Sequence, residues 1–203
     1  GSLVVTGLPG YIQLGPGLRS PKVSPQAAVT AGASLPAVQV SYGATSAAGQ
    51  ELEVRVIPSA DLPQGEIRVL GEGLPTAYVA EGNLAANQPA VFHVQAPFGG
   101  GVQVLRVATR SSASRSSEQT VVVPLGARNN EPVTLVATEQ PLVEALRTMA
   151  PHLGRPVVVD GTPVASVTLQ VADVPAPRAL EALAERNQLT LREENNVYRL
   201  SPR

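Results

Sequence analysis

The 203-residue chain has no cysteine and no tryptophan, and only two phenylalanines, four tyrosines and one methionine. Without cysteine no disulfide framework can staple the fold, so stability has to come from an apolar core. Lysine is nearly missing as well: Lys22 is the only one, and the rest of the basic charge is arginine. Aromatic residues make up 3% of the chain, too few to build a stacking platform for single-stranded bases. A formal net charge of −1 gives no whole-chain field to hold a polyanion or an acidic membrane. Nucleic acid is therefore not an expected partner. No apolar run approaches the ~18–20 residues of a membrane-spanning helix, so no transmembrane segment is expected. No signal peptide is visible. Gly1-Ser2 has the look of a cloning scar, so a targeting segment is expected to have been removed ahead of it.

What the chain does contain is small aliphatic residues and turn formers. Hydrophobic residues make up 43%, and there are 18 glycines and 19 prolines. Charged residues, at 15%, fall below the roughly 25% of an average globular protein. At ~100–200 residues per domain the length allows one large unit or two small ones. Residues 1–36 are rich in Gly, Pro and Ser, and no acidic residue precedes Glu51. Gly7-Leu8-Pro9-Gly10 between two short apolar stretches reads as a hairpin turn, and 15–36 as a linker or strap.

Residues 37–126 read as an all-β domain. Candidate strands at 37–41, 51–57, 66–70, 77–80, 90–96, 102–109 and 119–125 recur between turn signals. In 51–57, Leu52, Val54 and Val56 alternate with Glu51, Glu53 and Arg55, a period of two that sends aliphatics to one face and charges to the other. The polar segment 110–119 reads as a low-complexity loop. Seven short strands at this spacing imply a two-sheet sandwich, similar in style to bacterial immunoglobulin-like modules. Residues 126–130 are the expected domain boundary.

From Glu131 the pattern changes to β-α-β-β-α-β-β. Residues 133–137 are a strand. Gln140-Pro141 opens a helix, with proline in its first turn, and Leu142, Ala145, Leu146 and Met149 share one face. Pro151 and Gly154 are expected to bound that helix. Strands follow at 156–160 and 167–171, with Val167, Leu169 and Val171 on one side. Pro175-Ala-Pro177 starts a second helix whose buried stripe is Ala179, Leu180, Leu183 and Ala184, with Asn187 as its stop. Strands 189–193 and 197–200 close the module around a Glu194-Asn195-Asn196 turn.

The segments VTLVATEQPLVEALRTMAPHLGRPVVVD and VTLQVADVPAPRALEALAERNQLTLREENNVYRL resemble the short amino-terminal (STN) domain shared by secretins and TonB-dependent receptors. The matching positions are Pro141, Leu142, Ala145, Leu146, Gly154, residues 157–160, residues 167–171, Val174, Ala179, Leu180, Leu183, Leu189 and Val197. They span residues 131–203. Two departures are Ala184, where the family often has a larger aliphatic, and Asn187-Gln188, where it usually has glycine. The resemblance implies a small secretin amino-terminal-type α/β domain after the immunoglobulin-like sandwich.

No residue set carries catalytic chemistry. His93 and His152 are the only histidines and lie far apart; with no cysteine, a structural zinc site is not expected. Asp61, Asp160 and Asp173 read as turn residues. The serines of 111–117 lack a nucleophile-elbow context, and Gly99-Gly100-Gly101 lacks the Lys-Ser/Thr of a phosphate loop. No catalytic, cofactor-binding or metal-binding residue is expected, and the chain does not read as an enzyme. Function should then lie in surfaces. Edge strands leave backbone groups for a partner, and the candidate edges carry Val133, Leu135, Val167, Thr168, Leu169 and Val171. By the resemblance the partners are proteins of the cell envelope or further copies in a ring. The resemblance implies a periplasmic or outer-membrane-associated location, and an expected role as part of, or accessory to, an outer-membrane secretin of a type IV pilus or secretion system. A periplasmic regulator or transducer of the TonB-dependent type and a surface or S-layer-like structural protein are the alternatives.

Overall fold

Alternating aliphatics build the first layer. Strands β1 (Ala37–Ser46), β2 (Gly49–Ile57) and β5 (Ala90–Ala96) form an antiparallel sheet in the order β1-β2-β5. Leu52, Val54 and Val56 on β2 are completely buried, while Glu51, Glu53 and Arg55 turn outward. A computed structural model describes residues 35–203 apart from Gly100, Ala127, Asn129, residues 162–165 and the side chains of Ser114 and Arg115. The hairpin expected near residues 3–14 and all but the last two residues of the expected strap lie outside the described residues.

The second layer is a mixed sheet of seven strands. Its first four are β3 (Leu62–Gly71), β4 (Ala77–Leu84), β6 (Val102–Ser111) and β7 (Ser114–Pro124). The others are β9 (Val157–Asp160), β11 (Leu189–Glu194) and β12 (Val197–Pro202). The order is β11-β12-β9-β7-β6-β3-β4. β7 and β9 pair antiparallel from Gln119↔Asp160 to Val122↔Val157, and β9 and β12 pair parallel. One sheet thus runs through the change of pattern at 126–130, and Pro36–Arg203 forms one compact unit. The runs Val121-Val122-Val123 and Val157-Val158-Val159 lack alternation because both of their faces are covered. Val121, Val123 and Val158 join the core beneath the three-stranded sheet; Val122, Val157 and Val159 join the core beneath the helices.

The third layer holds α1 (Leu142–Leu153) and α2 (Ala176–Arg186), and beyond them β8 (Val133–Gln140) and β10 (Val167–Val174) pair antiparallel as a separate ribbon. α1 touches β6 and β7 on one side and β8 on the other; α2 touches β11 and β10. The helices therefore lie between two sheets, not on one side of a single small sheet. Gly154 (φ 70°) closes α1, its N–H donating to Ala150 O. Pro151 does not end the helix: it sits in the last turn, and buried Leu153 extends the apolar stripe beyond it.

The polar segment 110–119 is mostly strand, not loop: β6 runs to Ser111 and β7 begins at Ser114. Serines satisfy an exposed hairpin tip without an apolar pattern. Ser111 Oγ accepts from Ala113 N–H at 3.0 Å, and Ser112 N–H donates to Pro63 O at 3.1 Å. Arg106 and Glu118 pair across the two strands at 2.8 Å.

Leu146 and Leu183 are each completely buried in the helix-side core. Replacing either with alanine is expected to lower stability by about 2–5 kcal/mol, the usual cost of truncating a buried leucine. Equilibrium urea unfolding of the chain measures it. A loss below about 1 kcal/mol at both sites would mean that the helices do not pack as described.

Candidate functional site

The ribbon brings the sequence-predicted edge residues together. Val133, Leu135, Val167 and Leu169 are buried, and Val171 packs half-buried against the same core. Their side chains hold the ribbon on the helices and are not available to a partner. Thr168 is the one of the six that turns to solvent. The side chains able to meet a partner are on the other face, notably Val136, 65% exposed, with Gln170 directly across from it. The alternation of 133–137 carries that signal: if Val133 and Leu135 face inward, Val136 must face out.

The ribbon ends in two irregularities in register. Glu139 (φ 49°) and Asp173 (φ 58°) have left-handed backbones there. Each amide is taken by a threonine of the opposite strand: Glu139 N–H donates to Thr168 Oγ1 at 3.3 Å, and Asp173 N–H to Thr134 Oγ1 at 3.1 Å.

Thr168 is not a free edge position. Its N–H donates to Asn187 Oδ1 at 3.3 Å, and its C=O lies 3.5 Å from Asn187 Nδ2. The amide at the end of α2 thus imitates a neighbouring strand. Backbone groups alternate sides along a strand. Thr168 points away from β8 to Asn187, so Gln170 points to that same outer edge, and Val136 to the outer edge of β8. Neither strand pairs with any third strand among the described residues.

A second constellation, unread in the sequence, lies where β7, β9 and β12 meet. Asp160 is 4% exposed and not a simple turn residue. Its Oδ2 accepts from Arg199 Nε and from Ser201 Oγ, both at 2.7 Å, and its Oδ1 from Gln119 Nε2 at 2.9 Å. Arg199 also reaches Glu194 at 3.2 Å, and Arg199 and Gln119 both donate to the carbonyl of Pro36, at 3.3 and 3.0 Å. Gln119 Oε1 is buried without a partner. Burial works against the Arg199 charge, yet the hydrogen bonds and charges of Asp160 and Glu194 outweigh it and raise its pKa. The group is a buried clasp between strands from the two sequence patterns, fixing the chain where it enters β1. Asp160, between a valine run and Gly161, gives no hint of Arg199, 39 residues further on.

Two clefts among the described residues are open to solvent. One of about 340 Å³ is lined by Tyr42, Gln50, Pro124, Arg128, Pro151 and Gly154 among others. Tyr42 donates its hydroxyl to Pro124 O at 2.8 Å, and burial of that hydroxyl pushes its pKa up to about 12. The other, about 350 Å³, lies at one end of the seven-stranded sheet between Gln64, Glu66, Glu81, Arg110 and Ser112. His93 Nδ1 lies 3.1 Å from Glu51 Oε2 on the outer face of the three-stranded sheet; His152 Nδ1 lies 2.8 Å from the carbonyl of Glu131. Among the described residues no three His, Asp or Glu side chains group as a metal-holding set. No described helix is long and apolar enough to cross a membrane. No protein-family model, curated protein or solved structure matches the chain.

Proposed function

We propose that the chain is a non-catalytic interaction module of the bacterial cell envelope, part of or accessory to an outer-membrane secretin of a type IV pilus or secretion system. Its 131–203 portion would act as the family's short amino-terminal domain, behind an immunoglobulin-like sandwich. The observation that carries this reading is the fate of the family-pattern positions. Leu142, Ala145, Leu146, Ala179, Leu180, Leu183, Leu189 and Val197 are all buried, and Gly154 has the left-handed backbone of a helix stop. Gln188, in the stretch where the family usually has glycine, has φ 58°. That backbone favours glycine on steric grounds.

The recognition mechanism is strand addition to the ribbon. A partner strand would gain backbone hydrogen bonds at Gln170 or Val136, and the outward side chains of Val136, Thr168 and Gln170 would set its identity. Proline is tolerated where the lost N–H faces outward, so Gln170→Pro and Val136→Pro should fold and lose the partner. Thr168→Pro removes the donor to Asn187 and the hydroxyl that holds Glu139, and should destabilise by about 1–3 kcal/mol. The experiment is affinity capture from the envelope fraction of the source cells, with melting curves for each variant. Loss of the captured protein in a folded Gln170→Pro or Val136→Pro variant is the expected result. Capture unchanged by both, or a native protein found only in the cytosolic fraction, overturns the proposal.

A further inference from the structure

We propose that strand β4 is a self-association edge, at which a second copy of this chain continues the seven-stranded sheet through a two-fold axis perpendicular to it. This surface is independent of the ribbon. Among the described residues β4 is the outermost strand at its end of the sheet, and it has eight residues, Ala-Tyr-Val-Ala-Glu-Gly-Asn-Leu. Natural edges are usually guarded by lysine, proline, inward charges or bulges. β4 has a single charged side chain, Glu81, and none of these guards lies between Ala77 and Glu81. The other outer strands of the two larger sheets are guarded: β11 carries Arg192, Glu193 and Glu194, β1 has an irregularity between Tyr42 and Thr45, and β5 is bracketed by Pro89 and Pro97.

Charge selects the occupant and the register. Glu81 lies directly across from Glu66, a like-charge pair that costs stability. Glu66 is served by Arg68 at 3.0 Å and Arg110 at 2.8 Å, whereas the Glu81 side chain has no hydrogen bond or ion pair among the described residues. It is a carboxylate at an open edge wanting a cation. In a two-fold antiparallel pair centred on Ala80, Glu81 stands opposite Val79 of the second copy, whose neighbour in the same row is Arg68. Centred on Val79, Glu81 would meet Ala77 and Leu70 instead; centred on itself, it would meet the other Glu81. Only the Ala80 register supplies the cation. That register also sets Tyr78 opposite Gly82, where a side chain would meet open space. Leu70 and Val79, 42% and 40% exposed, lie on the same face of the sheet.

The test is sedimentation equilibrium of the full 203-residue chain from micromolar to near-millimolar concentration, with melting curves to confirm folding. Wild type should dimerise reversibly. Glu81→Arg, Arg68→Glu and Val79→Glu, the last setting a carboxylate opposite Glu81, should each be monomeric. Glu81→Arg combined with Arg68→Glu should dimerise again, because the swapped charges face each other. Gln170→Pro should leave the dimer intact, separating this edge from the ribbon. A wild-type monomer at every concentration overturns the proposal, as does a dimer that survives the single changes or is not restored by the double one.

Discussion

Residues 131–203 produced alone are expected not to reach a cooperative native state, whereas residues 36–203 are. The sequence reading expects the opposite, a free-standing unit from Glu131. The sheet pairing is the ground for the first expectation. Cutting at 126–130 strips β9 of β7 and leaves one edge of a strand with three valines open, its other edge still paired with β12. It removes Val102, Val104 and Val122 from the core that holds both helices. It also exposes Val158 and Val197, which are buried against the three-stranded sheet. At ~1.5–3 kcal/mol for each fully buried aliphatic side chain, the five losses amount to roughly 10 kcal/mol. That is as large as the whole net stability of a typical small domain, about 5–15 kcal/mol. Circular dichroism melting and amide exchange of the fragment give the answer. A sharp transition with slowly exchanging amides in residues 131–203 would establish two separately folding units instead. Limited proteolysis adds a second readout: a nick in 126–130 should leave two pieces that remain associated under native conditions.

Asp160→Ala is expected to lower stability by about 3–5 kcal/mol, the range for removing one partner of a buried ion pair. The substitution leaves Arg199, whose side chain is 14% exposed, with Glu194 as its remaining ionic partner. It also strips Ser201 and Gln119 of an acceptor, and Gln119 already carries one orphaned oxygen. The exposed Arg178–Glu181 pair on α2 is the control: its loss should cost less than about 0.5 kcal/mol. Asp160→Ala with Arg199→Met should recover much of the loss, since an apolar pair avoids the buried uncompensated charge. Chemical denaturation of the four species closes the cycle. A loss under about 1 kcal/mol for Asp160→Ala would mean that the clasp does not bind β9 to β12.

The strands and helices were legible wherever one face is buried and the other wet. The alternation of 51–57 and the helical spacing of Leu142, Ala145, Leu146 and Met149 mark such elements, and both are buried as read. Strand ends were less legible: β1 and β4 run several residues beyond the apolar stretch that marks each, because their far ends are exposed. The joining of the two patterns through β7 and β9 was not read at all. A valine run says that both faces are buried but not which strand lies beside it, and antiparallel partners 41 residues apart leave no local trace. The six named edge residues fall on β8 and β10, and all their side chains except that of Thr168 turn toward the core. Asn187, read only as a helix stop, also covers Thr168.

The reading of the chain as an interaction module stands most directly on the ribbon, and site-specific photocrosslinking in living source cells tests it there. A photoreactive residue in place of Val136 or Gln170 is predicted to give a discrete protein adduct in the envelope fraction. The same residue in place of Arg178, exposed on α2, should give none. No adduct from either ribbon position, or equal adducts from all three, would contradict the account.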